Sequence, residues 1–378
     1  MAVRPSVLIV VAAVFAALAS SAPASLRAEL HQALAGYHGR STGAIAVDLS
    51  TGKAVYAHNA DASLVPASNE KLALTYAALV VFGPGYRLRT EVLGDGHLRD
   101  GVVWEGDLIL RGHGDPTLDS AGLLELARRL RAEGVRRVTG RLIADESFFD
   151  ARRSGPGWKS YFVPQESSPL SALGSDALET ARRFRAALTE AGVRVAGGTI
   201  RLRAGGWPLA VRYSPPLEEI LRQMDVESDN HIAELLLKQL GAVVGHAGST
   251  AAGAAVARAA LAEHQVPLAG VRIADGSGLS SLDRLTPKAL VTILQRAWAD
   301  PDIGPALFRA LPVGGRDGTL RHRRLGPAVH AKTGTLTNAS ALSGYVRHRY
   351  AFAILQNGSH LGLAHNAQDR FASVLARG

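Results

Sequence analysis

The spacing of apolar positions changes repeatedly along the chain, and each change predicts an element. A short helix is expected over residues 26–35. Residues 43–49 and 53–58 then alternate apolar with polar on either side of Ser50-Thr51-Gly52, which predicts a β-hairpin. Pro66 and Ala67 lead into Ser68-Asn69-Glu70-Lys71 and an Ala- and Leu-rich stretch reaching Val81. Propensity makes this a helix starting near Ser68, and Gly83-Pro84-Gly85 ends it. From Arg87 to about Trp207 the texture becomes short strand patterns with Asp-Gly turns, residues 102–110 among them, and two arginine-rich amphipathic helices. Leu123, Leu124, Ala127 and Leu130 form the apolar face of one, and residues 177–191 make the other.

Past Pro215-Pro216 the helical period returns, with Leu217, Ile220, Leu221 and Met224 at i, i+3, i+4 and i+7. That helix stops at Ser228-Asp229-Asn230, and further helices are predicted over 231–240 and 251–264. Strand patterns follow near 329–336, 341–346 and 350–356, then a terminal helix over about 364–376. Helices from both chain ends on one face of an antiparallel sheet, with a helical lobe between, make an α+β fold. The middle section reads as an inserted α/β domain, residues 85–213. The main domain is then discontinuous, built from 25–84 and 214–378.

Residues 1–24 fall outside this scheme. A basic start, an apolar run over 7–19 and small residues at Ser20, Ala22 and Ala24 have the pattern of a signal peptide, which predicts a soluble mature protein outside the cytoplasm. The remainder is long enough for two domains and a sizeable core, and 47% hydrophobic with 20% charged residues is a globular composition, not a disordered one. The net charge of +9 rests almost wholly on arginine, since only six residues are lysine. A basic surface suits anionic partners such as cell-wall polymers. No basic run has interleaved aromatics, so nucleic acid is not an expected partner. The absence of cysteine excludes disulfides, thiolate metal sites, a cysteine nucleophile and a lipidated N-terminal cysteine.

What is left is oxygen, nitrogen and carboxylate chemistry, and three short motifs offer it. In Ser68-x-x-Lys71 a helix would bring the two side chains onto one face. A serine hydroxyl is a weak nucleophile until a neighbouring base takes its proton, and an amine serves if burial or another cation lowers its pKa. The helix N-terminus adds N–H groups near the attacking oxygen. Alone the pattern is weak: Ser50-x-x-Lys53 also fits, in a hairpin turn facing solvent, and an N-cap serine with a surface lysine would look the same. Ser228-Asp229-Asn230 sits between helices, where a loop can present a second hydroxyl for proton relay and an amide that both donates and accepts; it equally resembles an ordinary cap. Lys332-Thr333-Gly334-Thr335, on an alternating strand, supplies a positive charge, two hydroxyls for a carboxylate, and a glycine past which a substrate backbone could approach. Together and in this order, S-x-x-K, S-D-N and K-T-G are the signature of penicillin-binding proteins and class A β-lactamases.

On these motifs, and on Leu64 to Lys71, Gly106-Asp107-Leu108 to Gly114-Asp115-Pro116-Thr117-Leu118, Asp275-Gly276-Ser277-Gly278-Leu279-Ser280 and Leu311-Pro312 to Asp317-Gly318-Thr319-Leu320, the chain resembles peptidase family S13, the class C low-molecular-mass penicillin-binding proteins. The resemblance spans nearly the whole mature chain. It implies a penicilloyl-serine transferase (β-lactamase/transpeptidase-like) domain of antiparallel sheet flanked by helices, interrupted by the inserted domain. It also implies a serine-type D-Ala-D-Ala carboxypeptidase, with or without D,D-endopeptidase activity, acting on peptidoglycan stem peptides that end in D-Ala-D-Ala, with β-lactam antibiotics as covalent inhibitors. In that likeness Ser68 is the nucleophile and Lys71 its base. Ser228 and Lys332 pass a proton to the leaving amine, and Asn230 orients the substrate amide. The backbone N–H groups of Ser68 and Thr335 hold the oxyanion, while Thr333 and Thr335, with Gly334 between them, bind the terminal carboxylate.

Two departures bear on substrate choice. After Gly157-Trp158 the chain moves within a few residues to Ser168-Pro169-Leu170-Ser171-Ala172-Leu173, so the outermost inserted subdomain of longer relatives is expected to be missing. Where many relatives have arginine after D-G-S-G-L-S, this chain has Ser281, and no acid follows Gly157-Trp158 before Glu166. Two other functions fit the same motifs. A serine β-lactamase is one, although the glutamate and asparagine that class A enzymes carry soon after S-D-N are not visible between Asn230 and Gly276. A catalytically inactive wall-binding module is the other, although every catalytic position is intact. None of the thirteen histidines falls in H-E-x-x-H. His322 and His348 read as solvated loop residues and His113 as structural, and no cofactor or metal is expected.

Overall fold

The computed structural model describes residues 24–37, 41–358 and 360–378. The expected export segment lies outside the described residues except for Ala24, which opens the first helix. Among the described residues no helix is long and apolar enough to cross a membrane. The chain begins with α1 (Ala24–Ala35), β1 (Ser41–Asp48), β2 (Ala54–His58), a single 3-10 turn (Ala67–Asn69) and α2 (Glu70–Phe82). A second group follows: β3 (Arg89–Arg99), β4 (Val103–Gly112), α3 (Ser120–Ala132), β5 (Arg137–Val138), β6 (Leu142–Asp145), the one-turn α4 (Phe162–Gln165), α5 (Ala177–Glu190), β7 (Arg194–Val195), β8 (Thr199–Arg201) and β9 (Trp207–Tyr213). The rest comprises α6 (Leu217–Glu227), α7 (Asn230–Val243), α8 (Thr250–Glu263), α9 (Pro287–Ala299), α10 (Gly304–Ala310), β10 (Val329–Leu336), β11 (Ala339–Val346), β12 (Tyr350–Asn357) and α11 (Leu361–Arg377).

Five strands from the two ends of the chain form one antiparallel sheet in the order β10-β11-β12-β1-β2. Both faces of its centre are covered, which is why β12 reads as an apolar run. Ala351, Ala353 and Leu355 join the core shared with α2, α6, α7, α8 and α9, whereas Phe352 and Ile354 join the core under α1 and α11. This is the expected α+β arrangement. Two helices fill 287–310, where no element is predicted. The signal was present: Thr286 caps α9 by accepting from Ala289 N, Pro287 sits at its first turn, and Leu290, Ile293, Leu294 and Ala297 repeat the i, i+3, i+4, i+7 spacing.

The second sheet is mixed, with β3 antiparallel to β4 and β9, and β4 parallel to β5 and β6. The apolar faces of α3 (Leu123, Leu126, Leu130) and α5 (Ala181, Phe184, Leu188) pack into its core. Asp119 and Asp176 cap those helices. The chain enters and leaves this group side by side: Ser214 N donates to the Leu88 carbonyl at 2.8 Å and Leu217 N to the Tyr86 carbonyl at 2.8 Å. An ion pair of half-buried Arg212 with buried Asp115, at 2.6 Å, ties β9 to the loop after β4. His322 and His348 are exposed and His113 is buried, although the His348 ring also stacks on Trp298.

Candidate active site

The turn bearing Ser68 is held in a conformation it would not adopt alone. Ala67 has φ +48°, left-handed for a residue with a side chain, at a cost of roughly 1 kcal/mol. Its neighbours lock it. Gly278 packs so closely that a Cβ there would lie 1.9 Å from the Ala67 carbonyl oxygen, and Asn69 Nδ2 donates to the Lys332 carbonyl on β10 at 3.0 Å. One turn on, Lys71 is fully buried, with Nζ 3.2 Å from Ser68 Oγ. The same amine donates to Asn230 Oδ1 at 2.8 Å and to the Ser277 carbonyl at 2.7 Å. A neutral amine has two hydrogens and one lone pair, so two fixed acceptors leave the lone pair for the Ser68 hydroxyl.

Ser228 ends α6 in the left-handed region, φ +59°, and Asp229 caps α7 by accepting from Ile232 N at 2.9 Å. Lys332, wholly buried on β10, donates to Ser228 Oγ at 2.9 Å and to the Thr333 carbonyl at 3.1 Å. The structure thus brings Ser68, Lys71 and Asn230 into one hydrogen-bonded group, and Ser228 with Lys332 into another. Asn230 Nδ2 is also engaged, donating to the Glu166 carbonyl at 2.8 Å. Thr333 Oγ1 lies 2.7 Å from Thr319 Oγ1, and the exposed Thr335 hydroxyl lies 3.5 Å from His365 Nε2. Gly334 differs from expectation. Its open face meets the backbone of the turn that bears Ser68, a Cβ there lying 2.7 Å from the Pro66 carbonyl and 3.0 Å from Ser68 N, so the missing side chain lets β10 close on the serine turn.

Burial sets the charges. Desolvation lowers Lys71 to about 8, against the opposing pull of Asp275, Asp225, Glu234 and Asp229. Desolvation and then the Lys71 charge lower Lys332 to about 7, with Asp225 opposing. Asp225, buried on α6 and hydrogen-bonded by Thr75 at 2.8 Å, is itself raised to about 6 by desolvation. Two buried lysines near one buried carboxylate share protons as a unit. Sequence reasoning did not single out Asn69, Asp225, Glu234, Ser277, Thr319 or His365 as parts of the site. For Ser277 and Thr319 a signal existed in the D-G-S-G-L-S and D-G-T-L blocks; for the others only the tertiary contact identifies them.

A cavity of about 550 Å3 adjoins Thr335 and is lined by Lys159, Tyr161, Phe162, Glu166 and Ser281. A wider groove of about 930 Å3 between α1 and α11 is lined by none of the motif residues. Among the described residues there is no group of three or more His, Asp or Glu side chains placed to hold a metal ion.

Residues 26–177 and 163–377 match the model of the D-Ala-D-Ala carboxypeptidase 3 (S13) family. The D-alanyl-D-alanine carboxypeptidase of Actinomadura sp. (strain R39) is 31% identical over 445 residues, covering 89% of this chain and 81% of the relative. Carboxypeptidase DacB of Mycolicibacterium smegmatis is 31% identical, covering 94% of this chain and 85% of its own length. In fold the chain is similar to penicillin binding protein 4 from Haemophilus influenzae, with a TM-score of 0.82 at 21% identity over 92% of this chain and 99% of that one.

Proposed function

The chain belongs to the S13 family of D-Ala-D-Ala carboxypeptidases, penicillin-binding serine peptidases, and from that premise we propose how its own residues divide the reaction. Ser68 Oγ attacks the carbonyl carbon of the penultimate D-Ala while its proton goes to the Lys71 amine. The oxyanion is held by the N–H groups of Ser68 and Thr335. As the C–N bond breaks, Ser228 hands its proton to the departing D-Ala nitrogen and is re-protonated from Lys332. The proton on Lys71 then returns to Lys332, which has given one up; water adds to the acyl carbon as its proton passes to the freed Lys71 amine, and Lys71 hands that proton to Ser68 Oγ as the acyl–oxygen bond breaks. Thr333 and Thr335 hold the terminal carboxylate, and Asn230 orients the substrate amide.

The observation that carries this reading is the pairing of two buried amines with two serine hydroxyls, Lys71 at 3.2 Å from Ser68 and Lys332 at 2.9 Å from Ser228. The cavity with Lys159 and Glu166 at its wall is where we place the stem-peptide side chain. With Ser281 in place of arginine, that side chain meets a cation and an acid from the 159–166 segment instead. A β-lactam enters the same attack, but its amine stays attached to the acyl group, so the adduct on Ser68 persists. The division into 25–84 with 214–378 and an inserted 85–213, and export on the strength of residues 1–24, belong to the same proposal.

The test is a time course of intact mass with a penicillin, for the wild type, Ser68→Ala and Lys71→Ala. A stable adduct on the wild type alone is the expected result. An adduct that vanishes while drug is consumed would make the protein a β-lactamase, and no adduct at all would make it a binding module.

A further inference from the structure

Helix α7 reaches the Lys71 amine by two routes. Asn230, at its start, accepts directly from Nζ at 2.8 Å. Glu234, one turn along the same face, is fully buried and holds the group that accepts the other hydrogen. Its Oε1 accepts from Gly276 N at 2.9 Å and from Ser277 N at 2.8 Å, and the Ser277 carbonyl accepts from Lys71 Nζ at 2.7 Å. The turn has no slack against the helix, since a Cβ on Gly276 would lie 2.7 Å from the Ala233 carbonyl. Asp275 closes its far side, accepting from Gly278 N at 2.7 Å, Ser280 N at 2.8 Å and Trp158 Nε1 at 2.7 Å.

We propose that Glu234 is a positioning residue for the general base: by clamping the Gly276–Ser277 turn to α7 it fixes the Ser277 carbonyl that, with Asn230, aims the Lys71 lone pair at Ser68. This rests on the reading of Lys71 as the base. The clamp works through one acceptor, Oε1, which takes both turn N–H groups. Among the described residues Glu234 Oε2 has no hydrogen-bond partner, and no cation pairs with the carboxyl. The groups facing this cluster are Glu70 and Lys71 from α2, Asp225 from α6, Asp229 at the start of α7, and Asp275 and Asp283 from the loop. Burial, followed by the Asp275 charge, pushes the Glu234 carboxyl up towards its neutral form. A glutamine has the same shape and keeps the oxygen that accepts from Gly276 N and Ser277 N.

The experiment compares Glu234→Gln, Glu234→Ala and Leu240→Ala with the wild type. Leu240 is buried on the same helix and lies outside the site, so its variant reports simple loss of packing. Non-covalent affinity and the first-order acylation step are measured separately with a fluorescent penicillin, beside thermal unfolding. Glu234→Ala should slow acylation about 10- to 100-fold with little change in affinity, because the base is misplaced by a fraction of an ångström. Glu234→Gln should stay within about threefold of the wild type. Leu240→Ala should melt lower yet acylate normally when folded. Normal acylation by Glu234→Ala, or equal loss in Glu234→Gln, would overturn the role of Glu234 alone. Failure of the wild type to acylate would overturn the proposed function and this role with it.

Discussion

Replacing Gly334 by alanine tests how the site is closed. The new Cβ would stand 2.7 Å from the Pro66 carbonyl, 3.0 Å from Ser68 N and 3.1 Å from Asn69 N. All three are backbone atoms, so no side-chain rotation relieves the clash. Ordinary contact begins at 3.4 Å, and β10 must therefore back away from the serine turn by about 0.7 Å. That displacement would stretch the Asn69 bond to the Lys332 carbonyl from 3.0 Å beyond hydrogen-bonding range. It would also separate the Ser68 and Thr335 N–H groups. Losing one oxyanion donor costs about 10²- to 10³-fold in rate, and a 1 Å misplacement about 10²-fold. We expect the second-order rate constant for acylation by a chromogenic cephalosporin to fall about 100-fold. Overpacking should cost about 1–3 kcal/mol of stability, so the variant should remain folded by circular dichroism. A folded Gly334→Ala enzyme acylating within threefold of the wild type would refute the reasoning.

Three further outcomes follow from the same geometry. Lys71, lowered to about 8, must be neutral to take the Ser68 proton, so acylation rises with pH from 6 towards 8; Lys332, lowered to about 7, must still carry a proton to re-protonate Ser228, so activity falls again above that range. The rate profile should peak between about pH 7 and 8, and a profile flat from 6 to 10 would contradict it. Thr319→Val removes the hydroxyl 2.7 Å from Thr333 and should raise KM for a D-Ala-D-Ala peptide about 5- to 10-fold with kcat little changed, whereas Thr319→Ser should restore it. Arg212→Ala leaves Asp115 buried without its cation and should lower unfolding stability by about 3 kcal/mol in urea titration, with β-lactam acylation of the folded fraction retained.

Much of this protein is written in short stretches of chain. Ser68 and Lys71 are three residues apart, the spacing at which a helical turn brings two side chains onto one face; Leu217 to Met224, and equally Leu290 to Ala297, declare their helices by period. Alternation around Ser50-Thr51-Gly52 marks the hairpin that leaves Lys53 in solvent and disqualifies it as a base. The order of the three motifs likewise narrows the chemistry before any contact is known. What a local pattern cannot encode is which distant backbone comes to rest against which. The reason for Gly334 lies in the approach of Pro66 and Ser68, more than 250 residues away along the chain, and Glu234 touches the base only through a turn reached across the core. The lowered pKa of Lys71 has the same origin, because its complete burial is made by the packing of elements around α2. Local spacing follows from the geometry of one helix or strand, so the sequence by itself determined which side chains are candidates to react; their protonation, aim and closure depend on packing between elements, and only the tertiary structure decided those.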